Sequence, residues 1–100
     1  MPMMITRGKT YDEVCRAFKW QIPERYNIAN DVCDRWAGDP SRVALVYEDA
    51  ARNVTRFTFR EIQQHANRLA NTLRALGLAR GDRVTLLLAQ YPECAISHVA

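Results

Sequence analysis

Between Thr58 and Gly77 the chain reads TFREIQQHANRLANTLRALG, and this stretch constrains the fold more than any other. Ile62, Ala66, Leu69, Ala70, Leu73 and Leu76 recur at helical spacing and form one apolar stripe. Gln63, Gln64, Asn67, Arg68, Asn71 and Arg74 take the opposite, wet face. The start is specified as sharply as the stripe. Thr58 stands three residues before Glu61, so its hydroxyl can accept the Glu61 amide while the Glu61 carboxylate reaches back to the Thr58 amide. Gly77 stops the helix, most simply as a left-handed residue just past its end.

The flanking segments supply what such a helix packs against. RVALVYED is strand-forming by its β-branched and aromatic content. In VTRFTF, Val54, Arg56 and Thr58 alternate with Thr55, Phe57 and Phe59. The intervening DAARN is short and polar, with Asn53 tolerant of positive φ. An antiparallel hairpin pairing Val43–Glu48 with Val54–Phe57 is therefore predicted. Two helices precede it. Thr10 caps the first, within TYDEVCRAFKW, with Glu13 three residues on and Val14, Ala17 and Phe18 on one face. Pro23 then enforces an extended connection, because its ring disfavours helix at Ile22. The second is predicted over Ala29–Trp36, with Ile28, Val32, Cys33 and Trp36 at helical spacing and Gly38-Asp39-Pro40 ending it. Trp20 and Trp36 read as anchors that tie amphipathic segments to a core.

Downstream, Gly81-Asp82 turns the chain into RVTLLLA, whose continuous apolar run predicts a strand buried on both faces, as in a parallel sheet. Pro92-Glu93 opens a final helix, with proline at a favoured position and a carboxylate at the positive end of the dipole. The class is α/β: two helices, a hairpin, a capped helix, a parallel-type strand and the start of another helix. A doubly buried strand needs partner strands and covering helices, and this chain offers few of either. The expectation is a leader at residues 1–10 and, over 11–100, part of a larger domain.

Composition narrows the partners. With 48% hydrophobic and 25% charged residues the chain has the balance of an ordinary folded protein. No apolar run is long enough to span a bilayer, and MPMMITRGKT lacks the apolar core of a signal peptide, so a cytoplasmic location is expected. The net charge of +3 is spread along the chain among acidic neighbours, without the clustered basic face that nucleic acid requires. Cys15, Cys33 and Cys94 are irregularly spaced, form no C-x-x-C, and complete no zinc pattern with His65 or His98. They read as reduced, mostly buried thiols.

No local motif supplies chemistry. A dinucleotide fingerprint places its glycines after a strand and before a helix, so that helix amides face the phosphate. Gly77 and Gly81 stand in the reverse order, near the negative end of a helix dipole that repels phosphate. They read as turns. Ser41 and Ser97 lie outside any G-x-S-x-G, and His98, adjacent to Ser97 on a helix, points away from it. His65 reads as a surface residue, and Glu48-Asp49 as a hairpin shoulder. No catalytic, cofactor-binding or metal-ligating residue is assigned.

The order of these small motifs is more telling than any one of them. Thr58-Phe59-Arg60-Glu61-Ile62, Asn67-Arg68-Leu69-Ala70, Leu73 to Gly77, Gly81-Asp82-Arg83-Val84 and Gln90-Tyr91-Pro92-Glu93 follow one another at fixed spacing. The succession resembles the N-terminal region of the AMP-forming acyl-CoA synthetases, in the adenylate-forming superfamily. That family shows T-Y-x-E-L, N-x-L-A, L-x-x-x-G, G-D-x-V and N-x-P-E in the same order. Phe59, Ile62 and Gln90 replace the family's Tyr, Leu and Asn. Upstream, FKWQIPERYNIANDVCDRWA resembles the lead-in of the short- and medium-chain branch, which includes acetyl-CoA synthetases. The resemblance covers Tyr11 to Ala100. It implies an incomplete N-terminal part of the large domain of a two-step ligase. In that ligase ATP and a carboxylate give an acyl-adenylate, and coenzyme A then displaces AMP, with Mg2+ accompanying the ATP. The family's phosphate loop, nucleotide motifs and catalytic lysine match nothing between Met1 and Ala100, so the segment itself is expected to be inactive scaffold that binds none of these groups alone. An aryl-CoA ligase, another adenylation domain and a non-catalytic α/β interaction module are the alternatives.

Overall fold

Thr58 ends one element and opens the next, and the architecture turns on that residue. In the computed structural model, which describes residues 7–100, helix α3 spans Phe59–Ala75 with Thr58 as its N-cap. Of the leader expected at residues 1–10, the first six positions lie outside the described residues. The Thr58 hydroxyl accepts the Glu61 amide at 3.2 Å, and the Glu61 carboxylate accepts the Thr58 amide at 2.8 Å. The predicted capping box is present. At the other end Gly77 has φ +94°, its amide donates to the Arg74 carbonyl, and the Leu78 amide reaches the Leu73 carbonyl. These paired bonds are the Schellman closure of a helix, and they require a left-handed residue where Gly77 stands.

The apolar stripe faces inward as predicted along most of its length. Ile62 and Ala66 are buried, and Leu69, Ala70 and Leu73 are half-buried. Leu76 departs from the pattern at 79% exposed, because it sits beyond the last helical residue with no neighbouring element over it. Gln63, assigned to the wet face, is half-buried and donates to the Asp34 carboxylate at 3.0 Å.

Strands β1, Val43–Glu48, and β2, Val54–Thr58, pair antiparallel, with Tyr47 opposite Thr55 and Leu45 opposite Phe57. The register is irregular between Val43 and Leu45. The hairpin stands where it was predicted, but its turn chemistry differs. Arg52, not Asn53, takes positive φ, at 64°. Asp49 explains the exchange: its carboxylate accepts the Ala51 amide, the Asn53 amide and the Asn53 side-chain amide, all within 2.9 Å. Asn53 is held as a partner of Asp49, so the left-handed position falls one residue earlier.

Helix α1, Tyr11–Ala17, is capped by Thr10 as predicted. The second predicted helix is corrected. Helix α2 covers only Ile28–Val32, capped by Asn27, and the chain breaks at Cys33 (φ −132°, ψ −62°) into a 3-10 turn at Asp34–Trp36. Tertiary contacts account for the break. The Cys33 thiol is directed at the Phe59 carbonyl, Asp34 accepts from Gln63, and the Arg60 guanidinium donates to the carbonyls of Ala37 and Gly38 at 3.1 and 2.9 Å. The tighter turn brings this run of residues onto the start of α3. Cys33, Ala37, Ile62 and Ala66 are the buried hydrophobic residues that result.

Helix α4, Pro92–Val99, packs on α3 and α2, with Pro92 at the predicted position. The run before it forms no strand among the described residues. Residues 83–89 pair with no strand, and the sheet described here has two strands, both antiparallel. Leu87 is 96% exposed, and Val84, Leu86 and Leu88 are also exposed. A strand exists only through its ladder, and β1 and β2 pair with one another alone. The radius of gyration, 17.4 Å, exceeds the ~13 Å of a compact domain of this length.

Two predictions follow from the ends of α3. Gly77→Ala is expected to lower stability by about 1–2 kcal/mol, the cost of a left-handed non-glycine residue. Gly38→Ala, with open space around it and no positive φ, should change stability by less than about 0.5 kcal/mol. Melts followed by helical circular dichroism distinguish the two, and equal effects would contradict the Schellman assignment. The second concerns acid. The Thr58 amide and hydroxyl hold the Glu61 carboxyl below its ordinary 4.5, and Asn53 holds Asp49 below 3.8. Depressed carboxylates contribute stability that is full above the unfolded value and lost as pH falls through the folded one. Stability should therefore drop as pH falls below about 4, and Glu61→Gln should flatten that slope.

Candidate functional site

The glycine-bounded turn between α3 and residue 83 is the first place to look for a phosphate cradle, and four of its amides donate within the chain. Gly77 and Leu78 close the helix, the Asp82 amide donates to the Ala79 carbonyl, and the Ala79 amide donates to the Asp82 carboxylate at 2.7 Å. Gly81 has φ +99°, which supplies the second left-handed position. The Asp82 carboxylate thus serves as an acceptor inside the turn.

The other residues singled out from the sequence are dispersed. The Ser97 hydroxyl donates to the Glu93 carbonyl one helical turn back, and His98 is exposed. His65 lies on the surface of α3 near Glu61. Asp49 is consumed by the hairpin loop, and Glu48 is exposed beside it. Ser41 bonds Asp39, whose carboxyl is held low chiefly by that hydroxyl. Among the described residues no three His, Cys, Asp or Glu side chains converge on a metal position.

The cysteines and tryptophans need correction. All three thiols are free, but Cys33 alone is buried, Cys94 is intermediate and Cys15 is exposed. Burial, followed by the Asp34 charge, raises the Cys33 pKa. Trp20 is 72% exposed and meets the edge of Phe18 with ring centroids 5.1 Å apart, so it anchors nothing else of the described chain. Trp36 does act as an anchor. It lies against Phe59, and the guanidiniums of Arg35 and Arg42 stand 4.6 and 4.1 Å from its ring. Asp31, Asp34 and Asp39 share that corner, so the arginines make no uncompensated anion site.

Two concavities set polar groups in an apolar wall: a shallow one at Gln21, Ile22, Pro23, Tyr26 and Asp31, and one beside the sheet. The second runs between β1 and α4 and includes Leu45, Tyr47, Tyr91, Cys94 and His98. The rings of Tyr47 and Tyr91 are 6.2 Å apart. Sequence reasoning did not foresee this grouping. The spacing of Cys94 and His98, one helical turn, was visible, but Tyr47 joins them only through the packing of α4 beside the sheet.

The geometry is thus that of an α/β scaffold whose longest helix organises a hairpin and two helical segments. Comparison with known proteins supplies the family. Residues 33–100 match the family described as AMP-binding enzyme, and the chain belongs to that family. The matched span begins at the 3-10 turn and contains the hairpin, α3, the glycine turn and α4. The chain is 37% identical over 97 residues to the acyl-coenzyme A synthetase ACSM3, mitochondrial, of Homo sapiens, covering 90% of this chain and 17% of that protein. It is 36% identical over 85 residues to an acetyl-coenzyme A synthetase of Syntrophobacter fumaroxidans, covering 83% of this chain and 13% of that protein. With the acetyl-coenzyme A synthetase of Bacillus subtilis identity is 35% over 97 residues, covering 85% of this chain and 17% of that protein. The chain therefore spans about a sixth of the length of the curated relatives it matches. No solved structure matches it. The resemblance to the N-terminal region of AMP-forming acyl-CoA synthetases holds. Among the described residues, no helix is long and apolar enough to cross a membrane.

Burial ranks the thiols. On treatment of the folded chain with a thiol alkylating reagent, Cys15 should label readily, and Cys33 should be the slowest of the three. Peptide mass spectrometry over time checks this, and Cys33 labelling as fast as Cys15 would contradict the packing against α3.

Proposed function

We propose that this chain is the N-terminal scaffold, residues 11–100, of an ATP-dependent, AMP-forming acyl-CoA synthetase. The activity proposed for the whole protein is activation of a carboxylic acid as an acyl-adenylate and transfer of the acyl group to coenzyme A. The observation that carries this reading is the family match over residues 33–100, together with relatives named as acyl- and acetyl-coenzyme A synthetases. A cytoplasmic location and Mg2+ as the companion of ATP belong to the same proposal.

In this reading ATP, Mg2+ and coenzyme A are held by other parts of the enzyme. In its support, the amides of Gly77, Leu78, Ala79 and Asp82 donate to Arg74, Leu73, Asp82 and Ala79, and no three His, Cys, Asp or Glu side chains converge among the described residues. No catalytic step is assigned to them. Their contribution is positional. Helix α3 fixes the hairpin on one side and the glycine turn on the other, and that turn sets where residues 83–89 begin.

The exposed run at Val84, Leu86, Leu87 and Leu88 fits the same reading. In the proposed enzyme it is a strand of a parallel sheet, paired with strands from the rest of the large domain and covered on both faces. Burying these side chains would contribute roughly 1.5–3 kcal/mol each where burial is complete.

Two measurements test the proposal. The intact gene product is expected to catalyse carboxylate-dependent exchange of pyrophosphate into ATP, and the 100-residue chain alone to show none. Exchange by the purified chain at a full enzyme's rate would overturn the scaffold role. Absence of exchange from the gene product across short, medium and aromatic carboxylates would overturn the activity. In hydrogen exchange, amides of residues 84–88 should exchange rapidly in the chain alone and become protected in the gene product. Rapid exchange in both would remove the parallel strand.

A further inference from the structure

We draw no further inference here: the strongest candidate, the groove between β1 and α4 that gathers Tyr47, Tyr91, Cys94 and His98, offers one lone thiol beside an exposed imidazole, and nothing in the structure points to a ligand that would fill it.

Discussion

The docking of residues 33–38 onto the start of α3 is the interaction on which the rest of this structure depends. Arg60 reaches back to two carbonyls, Gln63 reaches across to Asp34, and Cys33 is buried beneath Phe59. Charged donors to carbonyls contribute about 1.5–3 kcal/mol each and neutral pairs about 1, so a short segment with few buried carbons is held largely by polar contacts. The same helix start also receives β2, because Thr58 is both the last residue of the strand and the N-cap. One turn of helix therefore fixes the hairpin and the 3-10 segment relative to each other. Without it, a two-stranded ribbon and two short helices would have no common support.

That arrangement explains how a chain with so small a core still has a defined shape. Among the described residues four hydrophobic side chains are buried, while many large apolar side chains are exposed. Some of the exposed ones are dispersed, as Tyr11, Trp20 and Leu76 are, but others are gathered. Val84 and the three leucines after Thr85 lie in one run, and Val43, Val46 and Val54 belong to the single hairpin. Exposed singly, such residues would need no explanation, but gathered on strand-forming segments they mark surface shaped for other elements. The polar contacts around α3 are satisfied within the chain, whereas the apolar surface is not.

What the sequence made legible follows the range of the forces involved. The capping box and the Gly77 stop are set by residues within five positions of one another and stand where local chemistry puts them, and the stripe holds from Ile62 to Leu73 but not at Leu76. The hairpin strands were legible for the same reason. Its turn was not, because Asn53 could have taken the left-handed position itself and instead serves Asp49. The break at Cys33 lay out of reach, since it answers to Phe59, Arg60 and Gln63, more than twenty positions away. Burial of RVTLLLA was inferred from its pattern, which reports what a segment is suited to pack against, and no such partner is found among the described residues. The groove at Tyr47 and Tyr91 was likewise invisible, because a strand and a helix meet there only after α4 packs.

The glycine turn shows how backbone geometry alone can identify a family. Its left-handed residues and the reciprocal pair of Ala79 and Asp82 are each demanded by the path of the chain. A side chain at Gly77 would strain the helix closure, and loss of Asp82 would leave the Ala79 amide without its acceptor. Helix length then fixes the distance from the capping Thr58 to Gly77, and turn size fixes the distance from Gly77 to Val84. A pattern of weak motifs at fixed spacing is what such locally determined geometry leaves in a sequence, so spacing along α3 and its turn carries family information that no single residue here contains.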